Sequence, residues 1–355
     1  MKNNTVLPEK VVTIRDIAKI ANVSIGTVSR VFNGKGYISK ETKKKVESAI
    51  VSTGYIPNVV ARSMVKKNSF IVGIVVPEIN NPFHSELVTY VNRILNQANY
   101  SVLLCNSEYD SERVVQFINE LIQRNAEGLM LISTDLEDAS VAKNVNAHLK
   151  TVGVCAKIKN MDCINLTDWQ GAFDVTEHFI SLGHQKIACV GVTDRLSVPR
   201  ERLRGYQDAM RKHGLDIKEE YIKAYDGTAN AGYNGTLALM ELRDPPTAIF
   251  FINDFYAINA YSALLSKGVK IGKDIMISGF DDLPISNLVH PTLTSVRCDI
   301  KSLAELSADT LLQKLHGKEE EPPEAKNILF STNIVKREST MSNAGVDSTG
   351  PSSTK

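Results

Sequence analysis

Hydroxyl and basic side chains recur at regular places in the first 65 residues of this 355-residue chain. Thr13, Ser24 and Ser39 each stand just before a short helical pattern, where a hydroxyl can cap the helix and can also donate to a phosphate. Arg30 belongs to the second pattern, and an arginine can donate two hydrogen bonds to a guanine edge. These residue types favour the chemistry of DNA binding, which needs both phosphate contacts and base contacts.

The patterns that carry these side chains are typical of a helix-turn-helix. Asp16 stands three positions after Thr13, a spacing that makes a capping box at the start of the first helix. A short link at Ala21-Asn22-Val23 leads into the second helix, and the third runs on to Gly54. A helix-turn-helix places its second helix in the DNA major groove while its first helix crosses the backbone.

The charge distribution supports this interpretation independently. Residues 1–67 carry thirteen Lys or Arg and four Asp or Glu, a net charge of +9, whereas the whole chain carries only +1. The remaining residues are therefore acidic, with a net charge of −8. Such an asymmetry is typical of a nucleic-acid-binding module joined to an acidic one.

Composition and motifs exclude several other classes of protein. The sequence contains no GxSxG, HExxH, Walker or GxGxxG motif, so we expect neither an enzyme nor a cofactor. No stretch has the ~20 apolar residues of a membrane span, and the N-terminus lacks the apolar core of a signal peptide. We therefore expect a cytoplasmic protein. Its five cysteines lack metal-binding spacing and should be buried and reduced: Cys105, Cys155, Cys163, Cys189 and Cys298.

From residue 70 onward, apolar runs alternate with helical patterns. The runs predict strands at 70–77, 101–106, 128–133, 151–156, 186–192, 221–226, 247–253 and 274–280. Helices are expected near 84–98, 111–125, 138–149, 169–182, 200–213, 230–242, 255–267 and 300–316. This alternation predicts parallel sheets covered by helices on both faces, arranged as two lobes. Ligands of such sheets bind beyond the carboxyl ends of the strands, so we expect a cleft between the lobes.

The chain resembles the lac repressor family over nearly its full length. The motifs that carry the resemblance are TIRDIAKIANVS, TVSRVFNG, GYIPN and ARSM near the start, and VGIVVPEINNPFH, ERLRGY, FFINDFYAINA and GFDDLPISNLVHPTLTSVR further on. The resemblance implies a small all-α helix-turn-helix head at 1–57 and a hinge helix and linker at 58–69. It also implies an α/β periplasmic-binding-protein-like body at 70–340, with chain crossovers between two lobes near 165, 294 and 326. Residues 341–355 are small and polar, which predicts a disordered tail.

The resemblance also assigns residues to DNA. The base contacts would come from Ile25, Gly26 and Arg30, with Tyr37 also placed where the family reaches a base. Ile25 can contact a thymine methyl group, whereas Gly26 offers no side chain. Phosphate contacts are expected from residues with hydroxyl or amide groups: Thr13, Ser24, Thr27, Ser29, Asn33, Ser39, Thr42 and Tyr55.

The hinge segment, Asn58 to Val65, is too short to be stable as an isolated helix. In the family it folds on DNA as a pair from two subunits in the minor groove, where an apolar side chain opens the central base step. Asn58 would cap this helix, Ala61 would face the DNA, and Met64 stands where the family usually has leucine.

In the body, the resemblance places a small-molecule effector between the lobes. Arg202 would hold a hydroxyl or carboxylate, a role that suits a forked guanidinium. Asn253, followed by Asp254, and Asp281 stand after strands, where an Asn and an Asp often converge on sugar hydroxyls. The full set of expected effector-binding residues is Phe83, His84, Tyr109, Ser133, Trp169, Arg202, Asn253 and Asp281.

Four positions depart from the common family pattern. Ala156-Lys157 replaces an Asp-Arg, Thr167 replaces an Asp, and Cys298 replaces a Gln. The loss of carboxylates, together with Lys157 and Arg202, predicts an anionic effector such as a sugar acid or sugar phosphate.

The function that follows is a transcriptional regulator, expected to be a repressor, which binds a palindromic double-stranded operator as a homodimer. The sequence is also compatible with a tetramer. A sugar or sugar acid would control it by changing lobe closure. Two alternatives remain at this point: a regulator governed by a protein co-regulator, as in the catabolite-control branch, and a sugar-binding component of a transporter. The missing signal peptide and the basic head argue against the transporter.

Overall fold

A computed structural model describes residues 12–33, 37–55, 68–136, 138–224, 230–317 and 325–341. The chain divides into two compact units, Met1–Ser69 and Phe70–Lys355, which we call the head and the body. The expected hinge helix at 58–65 lies outside the described residues, and so does the expected tail beyond Met341. None of the described helices has the length and apolar character needed to cross a membrane.

The head contains three helices: α1 (Ile14–Ile20), α2 (Ile25–Asn33) and α3 (Lys40–Thr53). Serines open two of them, since Ser24 Oγ accepts from Thr27 N at 3.1 Å and Ser39 Oγ accepts from Thr42 N at 3.1 Å. Gly54 ends α3 in a left-handed conformation with φ +60°. Each helix turns apolar side chains inward, and these form the small core of the head: Ile17, Ala18, Ala21, Val28, Val46 and Ala49.

The first lobe of the body is a six-stranded parallel sheet in the order β11-β5-β4-β3-β1-β2. Its strands are β1 (Ile71–Val76), β2 (Ser101–Asn106), β3 (Gly128–Ile132), β4 (Lys150–Val154), β5 (Asp162–Leu166) and β11 (Asn327–Phe330). Its helices are α4 (Pro82–Gln97), α5 (Ser111–Gln123), α6 (Ala139–His148) and α11 (Ile300–His316). The central strands are buried on both faces, which accounts for their unbroken apolar sequences.

The second lobe repeats this plan in the order β12-β10-β9-β8-β6-β7, with β12 antiparallel to β10 and the others parallel. Its strands are β6 (Ile187–Val192), β7 (Ile222–Ala224), β8 (Ala248–Phe251), β9 (Met276–Asp281), β10 (Thr294–Arg297) and β12 (Asn333–Val335). Its helices are α7 (Asp168–Ser181), α8 (Ser197–Lys212), α9 (Ala231–Met240) and α10 (Asp254–Ser266), with 3-10 turns at Glu219–Tyr221, Pro284–Asn287 and Glu338–Thr340. The two-lobe architecture with parallel sheets is as predicted.

Strand pairing shows where the chain passes between the lobes. The first crossover is Thr167, between β5 and α7. The second is at residues 298–299 and the third at 331–332, because β10 still pairs within the second sheet and β11 still pairs within the first. The expected positions 294 and 326 therefore come too early, since each falls before a short strand that the apolar pattern did not reveal. Thr167 Oγ1 and Thr332 Oγ1 are 2.9 Å apart, which joins the first and third crossovers.

Helices α7 and α8 approach each other closely at Gly205. A Cβ atom at this position would lie 2.2 Å from the backbone oxygen of Trp169 and 2.9 Å from Ala172 Cβ. Because the obstacle is backbone, no side-chain rotation can make room. Gly205 therefore sets the spacing between the helix that carries Arg202 and the helix that follows the first crossover.

We predict that Gly205→Ala lowers the free energy of unfolding of the body by about 1–3 kcal/mol, the usual range for overpacking. Gly26→Ala is the matched control, because this helical glycine has no neighbouring atom closer than 3.7 Å. Alanine favours a helix by up to ~1 kcal/mol there, so the control should not destabilise the head. Thermal unfolding followed by circular dichroism measures both changes. A Gly205→Ala protein as stable as the wild type would contradict the close approach.

Candidate functional site: a DNA-reading helix and an interlobe cavity

Helix α2 presents a distinct outer face. Val28 is fully buried in the head core, whereas Ile25 remains 45% exposed. Gly26 and Arg30 are also exposed. Gly26 and Arg30 are four residues apart, as are Ile25 and Ser29, so the four positions lie on one side of the helix. The expected base-contacting residues therefore share a surface that the head core does not use.

The other residues expected to contact DNA lie around this face or at helix ends. Thr13 donates its backbone N–H and its hydroxyl to Asp16 Oδ2 at 2.9 and 2.6 Å. Tyr37 is 95% exposed, whereas Tyr55 is half-buried and packs its ring 6.0 Å from Phe32. Thr27, Ser29 and Thr42 lie at or near the surface, and Asn33 is the last residue of α2. The expected contacts from Asn58, Ala61 and Met64 lie outside the described residues.

The structure adds basic residues that the sequence interpretation missed. Arg15 and Lys19 are exposed on α1 and line an open groove together with Ser24 and Ile25. They stand one helical turn apart, beside the beginning of α2. Their spacing of four positions, which places two residues on the same face of a helix, was the signal in the sequence.

The body contains a cavity between the carboxyl ends of the two sheets. Its empty volume, counting the open mouth, is about 660 Å³. The first lobe contributes Asn81, Phe83, His84, Tyr109, Ser133, Asp135 and Cys155. The second lobe contributes Thr193, Ser197, Arg202, Ile252, Asn253, Tyr256 and Asp281. Seven of the eight expected effector-binding residues are among these lining residues.

Arg202 is the central charged group of the cavity, and it is buried. Its Nε donates to Asp168 Oδ1 at 2.8 Å, and its Nη1 donates to Ile252 O at 2.5 Å and to Asp281 Oδ1 at 3.4 Å. The guanidinium carbon lies 3.5 Å from the centre of the Phe280 ring. Among the described residues no acceptor faces Nη2, so this nitrogen can donate to a ligand.

The carboxylates beside Arg202 respond to their burial. Burial raises the pKa of Asp281 well above its usual range, although the neighbouring Arg202 favours the ionised form. Burial also raises the pKa of Asp168, again opposed by Arg202. The two carboxyl groups that contact Arg202 therefore come from the protein itself, and the positive charge of Arg202 favours their ionised forms against the effect of burial.

His84 is neutral and has a defined tautomer. Its Nδ1 lies 2.8 Å from the carbonyl oxygen of Glu78, which can only accept, so Nδ1 carries the proton. Nε2 is then an acceptor. Burial lowers the pKa of His84 to about 4, which keeps the ring uncharged at neutral pH. The cavity thus offers an imidazole acceptor rather than a second cation.

Backbone strain marks the same cavity. Tyr109, Ser133, Cys155 and Asp281 line it, and their φ angles are +60°, +47°, +50° and +107°. Residues with a Cβ atom rarely adopt such angles, and strained positions cluster at binding sites. Each of the four stands at or just after the end of a strand or in the turn before a helix.

Both units of the chain are similar to known proteins. Residues 13–58 match the profile of bacterial regulatory proteins of the lacI family, and residues 176–340 match that of a periplasmic binding protein-like domain. The ribose operon repressor of Escherichia coli (strain K12) is 32% identical over 309 residues, which cover 85% of this chain and 93% of that protein. The chain belongs to the lacI family of bacterial regulatory proteins. It is a DNA-binding transcription regulator and not an enzyme.

Other relatives of this lacI-family chain agree with that placement. Catabolite control protein A of Priestia megaterium is also 32% identical, over 289 residues that cover 80% of this chain and 87% of that protein. A crystal structure of the lac repressor dimer bound to operator and the anti-inducer ONPF is 27% identical with a TM-score of 0.79. That match covers 94% of this chain and 100% of the lac repressor chain.

Two sequence expectations about the cavity of this lacI-family chain are wrong. Trp169 does not line it; its Nε1 donates to Asp208 at 2.9 Å and its ring stacks 5.0 Å from Phe173. The preceding residue, Asp168, faces Arg202 instead, because one helical step rotates the side chain by about 100°. Lys157 is exposed and also lies outside the cavity lining. The cation expected to help Arg202 hold an anion is therefore absent from the described lining.

The sequence interpretation also missed contributors. Asp168 is the buried partner of Arg202, and Asp135 lines the cavity with a side chain only 7% exposed. Asp254, considered with Asn253, points away from the cavity and accepts from Ser286 and Ser295, each at 2.6 Å. Asp168 directly follows Thr167, the position where the family usually has an Asp, so the sequence did indicate that Asp168 could belong to the cavity. Nothing in the sequence around Asp135 indicated that it would line the cavity.

We predict that His84 makes the body less stable in acid. An unfolded histidine titrates near 6.5, whereas His84 titrates at about 4. Between pH 7 and pH 5 the unfolded chain therefore binds a proton that the folded protein rejects, so stability falls as pH falls. The contribution of His84 to this loss is about 2 kcal/mol.

The test is urea unfolding of the wild type and His84→Gln at both pH values, followed by fluorescence of Trp169, the single tryptophan. The variant should lose about 2 kcal/mol less than the wild type between pH 7 and pH 5. His148→Gln, at an exposed histidine on α6, should keep the wild-type loss. Equal losses in wild type and His84→Gln would contradict the buried neutral ring.

Proposed function

We propose that this chain is a homodimeric repressor that binds a palindromic operator in the cytoplasm and responds to a neutral monosaccharide in the interlobe cavity. The single observation that carries the choice of ligand is the pairing of the Arg202 guanidinium with two acidic groups of the protein, Asp168 and Asp281. The lac repressor dimer bound to operator, to which the chain is similar, supports the dimer and the DNA.

The structure of the head supports recognition of the DNA base sequence by helix α2. Its outer face carries one long basic side chain, Arg30, beside the apolar Ile25. Arg30 would read a guanine and Ile25 a thymine methyl, while Arg15 and Lys19 on α1 contact phosphates. In the dimer, the hinge segments from the two subunits would meet in the minor groove and insert Met64 at the central base step.

The polar groups of the cavity support a polyhydroxylated ligand. Arg202 Nη2 is available as a donor and His84 Nε2 as an acceptor. Asn253 accepts from Tyr256 N at 2.9 Å through Oδ1, which leaves its amide nitrogen to donate. Asp281 adds a carboxyl group between them. Donors and acceptors from both lobes thus match hydroxyl groups, each of which both donates and accepts.

The charges support a neutral ligand over the anionic one expected from sequence. An anion would need a positive charge that the protein leaves unbalanced, but Arg202 already has two acidic partners, and Asp135 adds a third carboxylate to the lining. His84 contributes no charge at neutral pH. The similarity to a ribose operon repressor also favours a neutral sugar.

The cavity also supports direct control by a small molecule over control by a protein co-regulator. Catabolite control protein A is an equally similar relative, so family membership alone does not distinguish the two. A cavity kept for packing would bury few polar groups, because each unpaired one is costly. Here buried Asn81, His84, Arg202, Asn253 and Asp281 converge on one space.

For the DNA interface, we predict different effects from two basic residues. Arg30→Ala should remove about 1–3 kcal/mol of discrimination at one position of each operator half-site. Lys43→Ala should weaken binding evenly across sequences and reduce its salt dependence, because Lys43 lies on α3, outside the helix that we propose reads the bases. Fluorescence anisotropy on a panel of operator variants measures both. Unchanged discrimination in Arg30→Ala would show that α2 is docked differently.

For the cavity, we predict that calorimetry against neutral sugars, sugar acids and sugar phosphates detects binding of a neutral monosaccharide. Arg202→Lys keeps the charge between Asp168 and Asp281 but lacks the forked geometry, so it should bind that sugar at least tenfold more weakly, about 1.4 kcal/mol. Operator affinity without sugar should remain. We avoid Arg202→Ala, because two buried carboxyl groups would lose their partner.

Tight binding of a sugar acid or phosphate with no neutral ligand would overturn the neutral assignment. An unchanged sugar affinity in Arg202→Lys would overturn the site itself.

A further inference from the structure

Helix α8 begins without a cap of its own. Its N-cap residue is Leu196, whose apolar side chain accepts no hydrogen bond. The first amide groups of a helix need acceptors, and a serine, threonine or aspartate usually supplies one. Helices α4, α5 and α10, by contrast, are capped by Asn81, Asp110 and Asn253.

The missing cap comes from the other lobe. Asp135 follows β3 in the first lobe, and its Oδ2 accepts the backbone N–H of Ser197, the first residue of α8, at 2.5 Å. Its Oδ1 accepts the Ser197 hydroxyl at 2.8 Å, and Arg200 Nη2 lies 3.9 Å from Oδ2. Asp135 Oδ1 also accepts Lys157 N at 2.6 Å within its own lobe. One carboxylate thus joins a loop of lobe one to a helix of lobe two.

We propose that Asp135 and Ser197 form an interlobe latch that sets the equilibrium between closed and open lobes. When the lobes separate, α8 loses its cap and Asp135 loses its partners on α8, while keeping its bond to Lys157 N. Closure restores both. Because α8 also carries Arg202, the latch brings the first-lobe loop at Asp135 against the helix that carries this binding residue. The inference deepens the proposed function, since it concerns regulation of the same cavity.

The sequence position of Ser197 allows a selective test. Ser197 is the first helical residue, where proline is well tolerated, and Leu196 has the extended φ of −128° and ψ of 149° that a following proline requires. Ser197→Pro therefore removes both donations to Asp135 but leaves α8 and the Asp135–Lys157 bond in place. Ser197→Ala removes the hydroxyl donation alone. Asp110→Ala is the control, because it removes a helix cap of the same type within lobe one, where Asp110 accepts from Glu112 N.

The native cysteines provide the measurement. Cys155 is buried and lines the cavity, so its thiol should become accessible when the lobes open. Cys163 and Cys189 are buried in the cores of the two lobes and report unfolding. Cys105 is half-buried on the edge strand β2 and serves as the internal reference. The full chain, without ligand, is treated with N-ethylmaleimide, and labelling of each cysteine is followed by peptide mass spectrometry.

The latch predicts that Ser197→Pro raises the labelling rate of Cys155 at least threefold relative to Cys105, and that Ser197→Ala raises it less. Asp110→Ala should leave it at the wild-type rate, and Cys163 and Cys189 should stay protected in all variants. Since no ligand or operator is used, the result does not depend on whether the effector is a sugar.

Three outcomes would overturn the latch. The first is a wild-type Cys155 rate in Ser197→Pro with Cys163 and Cys189 protected. The second is an equal rise in Asp110→Ala, which would mean that any lost cap loosens the lobe. If Ser197→Pro also exposes Cys163 and Cys189, the variant is partly unfolded and Ser197→Ala decides. A labelling rate that rises only at Cys155 in Ser197→Ala supports the latch. An unchanged labelling rate at Cys155 in Ser197→Ala is the third outcome that overturns it.

Discussion

The burial of one guanidinium organises the effector-binding body. Arg202 can lie inside lobe two only if its charge and its donors are satisfied, because an isolated buried charge is very costly. Its partners come from separate elements: Asp168 from the start of α7, the carbonyl of Ile252 from the end of β8, and Asp281 from the end of β9. These elements must therefore converge at one point, which is the floor of the cavity.

The same compensation determines which ligands the cavity suits. A buried arginine with no acidic neighbour would attract an anion, but Arg202 already contacts Asp168 and Asp281. The cavity would therefore select a ligand by the geometry of its hydrogen bonds rather than by its net charge. Ser133 and Asp281 line the cavity with positive φ angles, so the backbone leaves the extended strand conformation where these polar residues meet the cleft.

The sequence was sufficient for the fold because the fold depends on local patterns. Apolar runs such as residues 71–76 identify buried parallel strands, and the hydroxyl caps at Ser24 and Ser39 identify the starts of two head helices. The crossovers at 298–299 and 331–332 were placed early, because strands of three or four residues leave little apolar signal beside a chain reversal.

The site was less predictable because it depends on distant pairs. The motif around Arg202 indicated a binding arginine, but not that Asp168 would neutralise it, since a single helical step separates Asp168 from the wrongly chosen Trp169. The link from Asp135 to Ser197 spans 62 positions and two lobes. No local periodicity encodes such a contact, and it exists only once both sheets have formed.

Control of DNA binding by a sugar requires that the ligand prefer one lobe arrangement over the other, because a ligand with equal affinity for both shifts nothing. A cavity lined by His84 from one lobe and Arg202 from the other satisfies this requirement, since a ligand that contacts both gains affinity only on closure. The latch acts on the ligand-free protein, because it determines which fraction of the molecules is closed before the ligand binds. Linkage is reciprocal, so a change at Ser197 must alter sugar affinity and sugar response together, even where every direct sugar contact is unchanged. The sensitivity of such a regulator can therefore evolve at Ser197 without any change at Arg202 or His84.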